Sequence, residues 1–281
     1  MLALVKVKET VGGRTRRSIC PVSEAVVKRD TNFTALFDYP TIPSAIEVRT
    51  LKEPKSPKDL KTYLQGRQQL KGLVNLITPG VSYCKQLKFA DLPRYKSTVV
   101  GMGNADLVGC TVTVLVSARA VYMCHFVERL HFPHVHTAPV PNEVKYTFID
   151  AMNFVTGNQP QRGCGGDSLD KTLFQGGDGD NTQLYIMTPR SRATPDDVTS
   201  QEHNGEITLL TAVMRIHVPG AQVTTYNYYA RTEGYPGLDN YVKGAATWEY
   251  DPNADGNGNA DWRLWFEETN RRGSSVNQKV V

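Results

Sequence analysis

The segment that decides the fold runs from Gly109 to Phe126 and has the sequence GCTVTVLVSARAVYMCHF. It contains two runs rich in β-branched and aromatic residues, Thr111–Val116 and Val121–Phe126, which flank the short break Ser117–Ala120. Two such runs on either side of a short break predict a β-hairpin. This hairpin carries a thiol, Cys110, at its start and an imidazole, His125, near its end.

The register of the predicted hairpin decides whether these two groups can meet. A turn of even length centred between residues 118 and 119 places Val112 opposite His125. Because side chains alternate between the two faces of a strand, Cys110 shares the face of Val112 and therefore of His125. The two groups are then diagonal neighbours, within reach of each other across the strand pair. Cys124 is expected on the opposite face.

A thiol beside an imidazole suggests nucleophilic chemistry. Cysteine attacks as the thiolate, and a hydrogen-bonded imidazole that takes the thiol proton is a common activating device. The sequence therefore makes Cys110 a candidate nucleophile and His125 a candidate general base. In the alternative interpretation, Cys110 is a small core residue and His125 is a hydrogen-bonded histidine at a strand end.

The same residues carry a resemblance to a known family. The segment LVGCT at 107–111, with a histidine fifteen positions after its cysteine on the next strand, resembles the catalytic hairpin of the cytotoxic necrotizing factor-like glutamine deamidases. The bacterial chemoreceptor deamidases arrange their cysteine and histidine similarly. The resemblance covers the hairpin only, and Val108 stands where the toxins have serine.

The resemblance implies a fold, a reaction and a set of site residues. It implies a sandwich-like domain that deamidates glutamine side chains of a protein, with Cys110 as nucleophile and His125 as base, and without a cofactor. A third group should orient the histidine: a backbone carbonyl in the toxins, and in the chemoreceptor branch a threonine six residues before the cysteine. Asn104 occupies that position here, and its carboxamide can accept a hydrogen bond from an imidazole.

Composition excludes several other classes of protein. The 281 residues are 40% hydrophobic and 21% charged, with a net charge of +4 from 32 basic and 28 acidic residues. This is ordinary globular composition and a weak basic excess, so we expect no nucleic-acid partner. No apolar run is long enough to span a bilayer, and no signal peptide is evident. Five irregularly spaced cysteines do not indicate a disulfide framework, so we expect a reducing, cytoplasmic setting.

Periodicity predicts an α+β fold in one domain. Residues 1–56 are expected to be poorly ordered or wrapped on the surface, and residues 57–281 to form a single catalytic-type domain. We expect a central, mostly antiparallel sheet or sandwich with two or three packed helices. Helices are predicted from Pro57 to about Ile77, from Pro141 to Gly157 and from Gly205 to Val218. The remaining predictions are strands near 97–100, 182–187 and 222–229, a glycine-rich loop at 163–181, and a terminal hairpin at 246–266.

Other readings of the same residues remain open. His125, His131, His134 and His136, with Glu128, could hold a metal, but prolines make this segment a loop and we expect no metal site. Residues 251–262 begin like a calcium-binding loop but have Trp262 where the bidentate glutamate belongs, so we expect a hairpin turn. The alternatives to a deamidase are a noncatalytic interaction or structural protein, and a thiol peptidase or acyltransferase. The sequence does not indicate the oligomeric state.

Overall fold

The computed structural model describes 54–68, 74–77, 81–92, 98–101, 107, 109–132, 146–158, 163–175, 181–230, 244–254 and 259–274, with the pairs 10–11 and 14–15. Its helices are α1 (Pro57–Gln68), α2 (Glu128–His131), α3 (Phe148–Val155) and α4 (Asn204–His217). The strands up to the middle of the chain are β1 (Thr10–Val11), β2 (Arg14–Thr15), β3 (Val74–Asn75), β4 (Ser82–Lys88), β5 (Thr98–Gly101), β6 (Thr111–Val116) and β7 (Ala120–Phe126). The later strands are β8 (Cys164–Gly166), β9 (Gln183–Pro189), β10 (Gln222–Tyr228), β11 (Ala246–Asp251), β12 (Asp261–Phe266) and β13 (Thr269–Ser274).

Two larger sheets form the body of the described fold. The first has six strands in the order β10-β9-β6-β7-β4-β8, and the second has five in the order β13-β12-β11-β5-β3. Neighbouring strands run antiparallel except for β10 with β9, β4 with β8, and β3 with β5. The expectation of an α+β fold built on a mostly antiparallel sandwich is confirmed.

The β6–β7 hairpin lies at the centre of the six-stranded sheet, in the predicted register. Val112 pairs with His125, Val114 with Met123 and Val116 with Val121. The connection is held by Ser117, whose Oγ accepts hydrogen bonds from the backbone N–H groups of Arg119 (3.0 Å) and Ala120 (3.1 Å). Every residue of both strands is buried, because β9 and β4 flank the hairpin and both faces of the sheet are covered.

The core between the two sheets contains the face of the hairpin that carries Cys110. Its buried members from the first sheet include Cys110, Val112, Val114, Val121 and Met123. The second sheet contributes large aromatic side chains, chiefly Trp248, Tyr250, Trp262 and Phe266. Burial of this much apolar surface is the main force that holds the two sheets together.

Helices cover the outer faces of both sheets. Residues of α3 and α4 pack on the side of the first sheet that carries Leu115, Tyr122 and Cys124. Cys124 lies opposite Cys84 of β4, with 4.1 Å between the Cα atoms, and the two form a disulfide. The expectation that the cysteines form no disulfides is therefore wrong for this pair. Spacing along the chain could not reveal it, because two separate strands bring these residues together.

A buried ion network fixes α1 to the second sheet. The carboxylate of Glu249 on β11 is fully buried and lies 2.9 Å from Nε of Arg67 and 3.6 Å from Nε of Arg263. It also accepts hydrogen bonds from the Tyr63 hydroxyl (2.6 Å) and the Trp265 indole (2.9 Å). Buried charges persist only when they are paired and hydrogen-bonded in this way.

Several predicted elements differ from the structure or lie outside the described residues. The helix predicted from Pro141 begins at Phe148, because Thr147 caps its first turn, and residues 141–145 lie outside the described residues. The first helix ends at Gln68, not near Ile77, because residues 74–75 form β3 and pair with β5. Residues 164–166, predicted to be loop, form β8 and pair with β4. The segment 1–56, apart from its last residues and two short strands, lies outside the described residues, as does the segment 133–145. None of the described helices has the length and apolar composition needed to cross a bilayer.

We predict that Glu249→Ala destabilises the protein by about 3–5 kcal/mol, because it leaves the buried guanidinium groups of Arg67 and Arg263 without their counter-charge. Urea denaturation followed by tryptophan fluorescence measures the change. Asp196→Ala, which removes an exposed carboxylate, is the matched control and should change the free energy of unfolding by less than about 0.5 kcal/mol. Equal stabilities of the two variants would contradict the proposed role of the network.

Candidate active site at the β6–β7 hairpin

The structure places Cys110 and His125 on one face of the first sheet. Cys110 directly precedes β6, and His125 is the second-last residue of β7, opposite Val112. The Cys110 side chain is fully buried and packs with Val112 in the core between the sheets. His125 is only 4% exposed. The hairpin register thus puts the thiol and the imidazole on the same side, as the sequence predicts.

The imidazole of His125 is held in one orientation and has one nitrogen available. Nδ1 lies 3.3 Å from the carbonyl oxygen of Leu76. Because a carbonyl only accepts hydrogen bonds, Nδ1 carries the hydrogen and Nε2 presents a lone pair. Nε2 is buried, and no described group lies at hydrogen-bonding distance from it. Burial lowers the pKa of His125 to about 4, although the bond to Leu76 favours the charged form. The ring is therefore neutral at physiological pH.

The carbonyl of Leu76 lies beside His125, where the resemblance leads us to expect a third group. The toxin branch of that family uses a backbone carbonyl, whereas the chemoreceptor branch suggested Asn104. Asn104 lies outside the described residues, so its predicted role stays a prediction. A backbone carbonyl has no signature in the sequence, because every residue carries one, and only the fold brings residue 76 next to His125.

A glycine shapes the turn that leads into Cys110. Gly109 has φ of +108°, a conformation that favours glycine. A Cβ atom at this position would collide with the carboxylate of Glu128. The Gly109 N–H donates to the hydroxyl of Tyr228 (2.9 Å), and that hydroxyl donates to the Cys110 carbonyl (2.8 Å). These contacts explain why glycine precedes the cysteine in the LVGCT segment.

A cluster of buried charged and polar groups supports the same turn. The Glu128 side chain is 3% exposed and accepts a hydrogen bond from Nη2 of Arg192 (2.6 Å). His203 Nε2 lies 3.3 Å from both the Glu128 carboxylate and the Gly109 carbonyl. Since both are acceptors, Nε2 of His203 carries the hydrogen. Sequence reasoning missed Tyr228, His203 and Arg192, and it considered Glu128 only as a metal ligand.

The oxidation state of Cys110 affects what the site can do. Cys110 is disulfide-bonded in the structure, and its partner is outside the described residues. A disulfide sulfur is not a nucleophile, so the thioester chemistry suggested by the sequence requires prior reduction. The structure therefore represents an oxidised state of the candidate site.

A second thiol and imidazole come together on the opposite, helix-facing side of the sheet. Cys164 Sγ lies 3.6 Å from Nε2 of His131, and its thiol is free. Both ring nitrogens of His131 also face carbonyl oxygens, Nδ1 that of Thr147 (3.1 Å) and Nε2 that of Gly163 (3.3 Å). Burial, with a smaller contribution from Asp150, raises the pKa of Cys164 to about 12. This thiol therefore stays protonated at neutral pH.

The histidines considered as metal ligands are dispersed where the structure describes them. His125 bonds the Leu76 carbonyl on one side of the first sheet, whereas His131 contacts Cys164 on the other. His134 and His136 lie outside the described residues. Within the described ranges, no three histidine, cysteine or carboxylate side chains group together in a way that could hold a metal ion.

Comparisons with known proteins give a weak similarity at the level of fold. No protein-family profile matches the chain, and no curated protein matches it. Among solved structures, the crystal structure of the C-terminal domain of CNFy from Yersinia pseudotuberculosis is similar, with a TM-score of 0.30 and 12% sequence identity. The match covers 70% of this chain and 64% of that domain, which is less than two thirds of its length. This is a weak similarity of fold.

The depressed pKa of His125 predicts a specific pH dependence of stability. Between pH 6.5 and about pH 4, the unfolded chain protonates this histidine while the folded chain does not, so stability falls as the pH is lowered through this range. The loss amounts to about 3 kcal/mol and levels off below the folded-state pKa. His125→Gln removes this contribution, and its stability should fall less steeply in urea titrations from pH 7 to pH 4. Parallel curves for the two proteins would contradict this assignment.

Proposed function

We propose that this protein is a cysteine-dependent amidohydrolase that deamidates glutamine side chains of a protein substrate, with Cys110 as nucleophile and His125 as general base. The observation that carries the proposal is the buried Nε2 of His125. It is an acceptor without a described partner, on the face of the sheet that also carries Cys110. Such an uncompensated buried acceptor is costly in a structural histidine, but a general base requires one.

The proposed reaction proceeds through a thioester. Nε2 of His125 takes the proton of the Cys110 thiol, and the thiolate attacks the carboxamide carbon of the substrate glutamine. The tetrahedral intermediate collapses by breaking the carbon–nitrogen bond, and the imidazolium gives its proton to the leaving ammonia. Water, deprotonated by His125, then attacks the thioester, so that glutamate is released and the Cys110 thiol is restored.

The Leu76 carbonyl and the backbone next to Cys110 both contribute to this proposed chemistry. The Leu76 carbonyl holds the hydrogen of His125 on Nδ1, and it stabilises the imidazolium that forms during the reaction. The developing oxyanion needs backbone N–H donors close to the nucleophile. The Gly109 N–H is bonded to Tyr228, so the N–H of Cys110, in the nucleophile's own peptide, is the donor that we propose.

The proposed active form is the reduced one. Cys110 is bonded and buried in the structure, so reduction must release the thiol before a substrate can be attacked. A small dithiol such as dithiothreitol supplies the two electrons for this step and is itself oxidised to its cyclic disulfide. Activity is therefore expected only after reduction.

The buried, bonded state of Cys110 favours a second candidate function. In a noncatalytic structural or binding protein, this disulfide would act only to stabilise the fold. A thiol peptidase or acyltransferase would use the same two residues as a deamidase but a different substrate. The tests below separate these candidates.

The first test measures thiol reactivity and needs no knowledge of the substrate. After reduction, Cys110 should react with iodoacetamide near pH 6 faster than Cys164, because a neighbouring base favours the thiolate. Peptide mass spectrometry resolves the rate at each cysteine. His125→Gln should reduce the rate at Cys110 to that of Cys164. If reduced Cys110 in the unaltered protein is as slow as Cys164, the protein is better described as noncatalytic.

The second test measures the reaction itself. The reduced protein should release ammonia from glutamine-containing casein, and mass spectrometry should find glutamate in place of glutamine. Cys110→Ala and Cys110→Ser should abolish both signals, while Cys164→Ser should retain them. Peptide-bond cleavage in place of ammonia release would identify a peptidase. Full activity in both Cys110 variants would rule out this cysteine as the nucleophile.

A further inference from the structure

We propose that Tyr228 is a positioning residue that fixes the backbone around Cys110, so that the sulfur is presented to His125. This inference rests on the proposed function, because it concerns the nucleophile of that reaction. It goes beyond the cysteine, the histidine and the carbonyl that orients the histidine. Its basis is the set of hydrogen bonds that hold three consecutive peptide planes in the turn before β6.

The hydroxyl of Tyr228 connects two of these planes. It accepts a hydrogen bond from the Gly109 N–H (2.9 Å) and donates one to the Cys110 carbonyl (2.8 Å). The first group belongs to the peptide plane before Gly109, and the second belongs to the plane after Cys110. One oxygen atom thus constrains the φ and ψ angles of both residues, which set the direction of the Cys110 Cα–Cβ bond.

The plane between Gly109 and Cys110 is held by a second donor. Nε2 of His203 lies 3.3 Å from the Gly109 carbonyl and the same distance from the Glu128 carboxylate. Arg192 neutralises that carboxylate with a contact of 2.6 Å, so the buried charge is compensated. The carboxylate also occupies the space that a side chain at position 109 would need. The turn is therefore held by Tyr228 of β10 and by His203, the residue that precedes α4.

Tyr228 is itself held firmly enough for this role. It is fully buried at the end of β10, where its register partner on β9 is Pro189. Its own carbonyl accepts a hydrogen bond from the Arg190 N–H (2.9 Å). Burial raises the pKa of its hydroxyl well above the usual value, so the hydroxyl stays protonated and can donate throughout the working pH range.

Positioning of this kind acts on the rate of reaction more than on folding. A small displacement of a nucleophile from its base costs up to about a hundredfold in rate. Removing one buried hydroxyl also costs stability, and a variant that removes a comparable hydroxyl elsewhere must separate the two effects. Tyr122 offers this control, because its equally buried hydroxyl donates to the Asp167 carbonyl (3.0 Å) on the opposite face of the sheet.

The experiment compares Tyr228→Phe with Tyr122→Phe in the reduced, full-length chain. Alkylation rates at Cys110 and Cys164 are measured with iodoacetamide from pH 5 to pH 9, together with thermal denaturation. We expect Tyr228→Phe to slow Cys110 near pH 6 by about ten- to a hundredfold and to shift its pH profile upward. Tyr122→Phe should leave the profile unchanged, although its thermal stability falls similarly. An unaltered Cys110 profile in Tyr228→Phe would overturn the inference.

A second pair of variants covers the case in which Tyr228→Phe does not fold. His203→Leu removes the donor to the Gly109 carbonyl and should slow Cys110, whereas the amide of His203→Gln should restore much of the rate. Equal rates in these two variants would overturn the inference. Failure of the proposed function gives a different result: Cys110 of the unaltered protein would then react no faster than Cys164.

Discussion

The tight turn between β6 and β7 determines which face of the sheet each side chain of the hairpin occupies. Ser117 holds this connection from both ends, because its Oγ accepts the N–H groups of Arg119 and Ala120 and donates to the Leu173 carbonyl. The side-chain period of a strand is two residues, so a shift of one position would move the entire apolar set to the wrong face. The sandwich core between the sheets depends on this register.

The same register sorts the cysteines of the hairpin into two environments. Cys110 joins the core between the sheets, whereas Cys124 points to the helix-covered face and bonds Cys84 of the neighbouring strand. Because β6 and β7 are central strands, both faces are buried and neither sulfur has an exposed alternative. Both sulfurs of the hairpin are disulfide-bonded in the structure, whereas the free thiol of Cys164 lies on β8 at the edge of the same sheet.

The hairpin and its register were predictable from the sequence because the information is local. Runs rich in β-branched and aromatic residues on either side of the break specify the strands, and the length of the turn specifies which residues face each other. The supports of the site were not predictable, since they come from distant parts of the chain. Leu76 contributes only a backbone carbonyl. Tyr228 is the last residue of β10 and His203 precedes α4, and both lie more than ninety residues after Cys110 in the sequence. The helix expected to reach Ile77 failed for the same reason: pairing of β3 with β5 is a long-range contact that overrides local periodicity.

The two imidazoles near thiols show why residue types alone do not define a site. At His131, both nitrogens face carbonyl oxygens, and because a carbonyl only accepts hydrogen bonds, each carbonyl favours a hydrogen on the nitrogen that it faces. Burial raises the pKa of the Cys164 thiol, so its proton stays on the sulfur at neutral pH. At His125, a single carbonyl, that of Leu76, accepts a hydrogen bond from Nδ1. Nε2 therefore carries a lone pair, and the side chain lies on the face of the sheet that also carries Cys110. The number of carbonyls around the ring, and not the presence of a cysteine, therefore distinguishes a structural histidine from a candidate base.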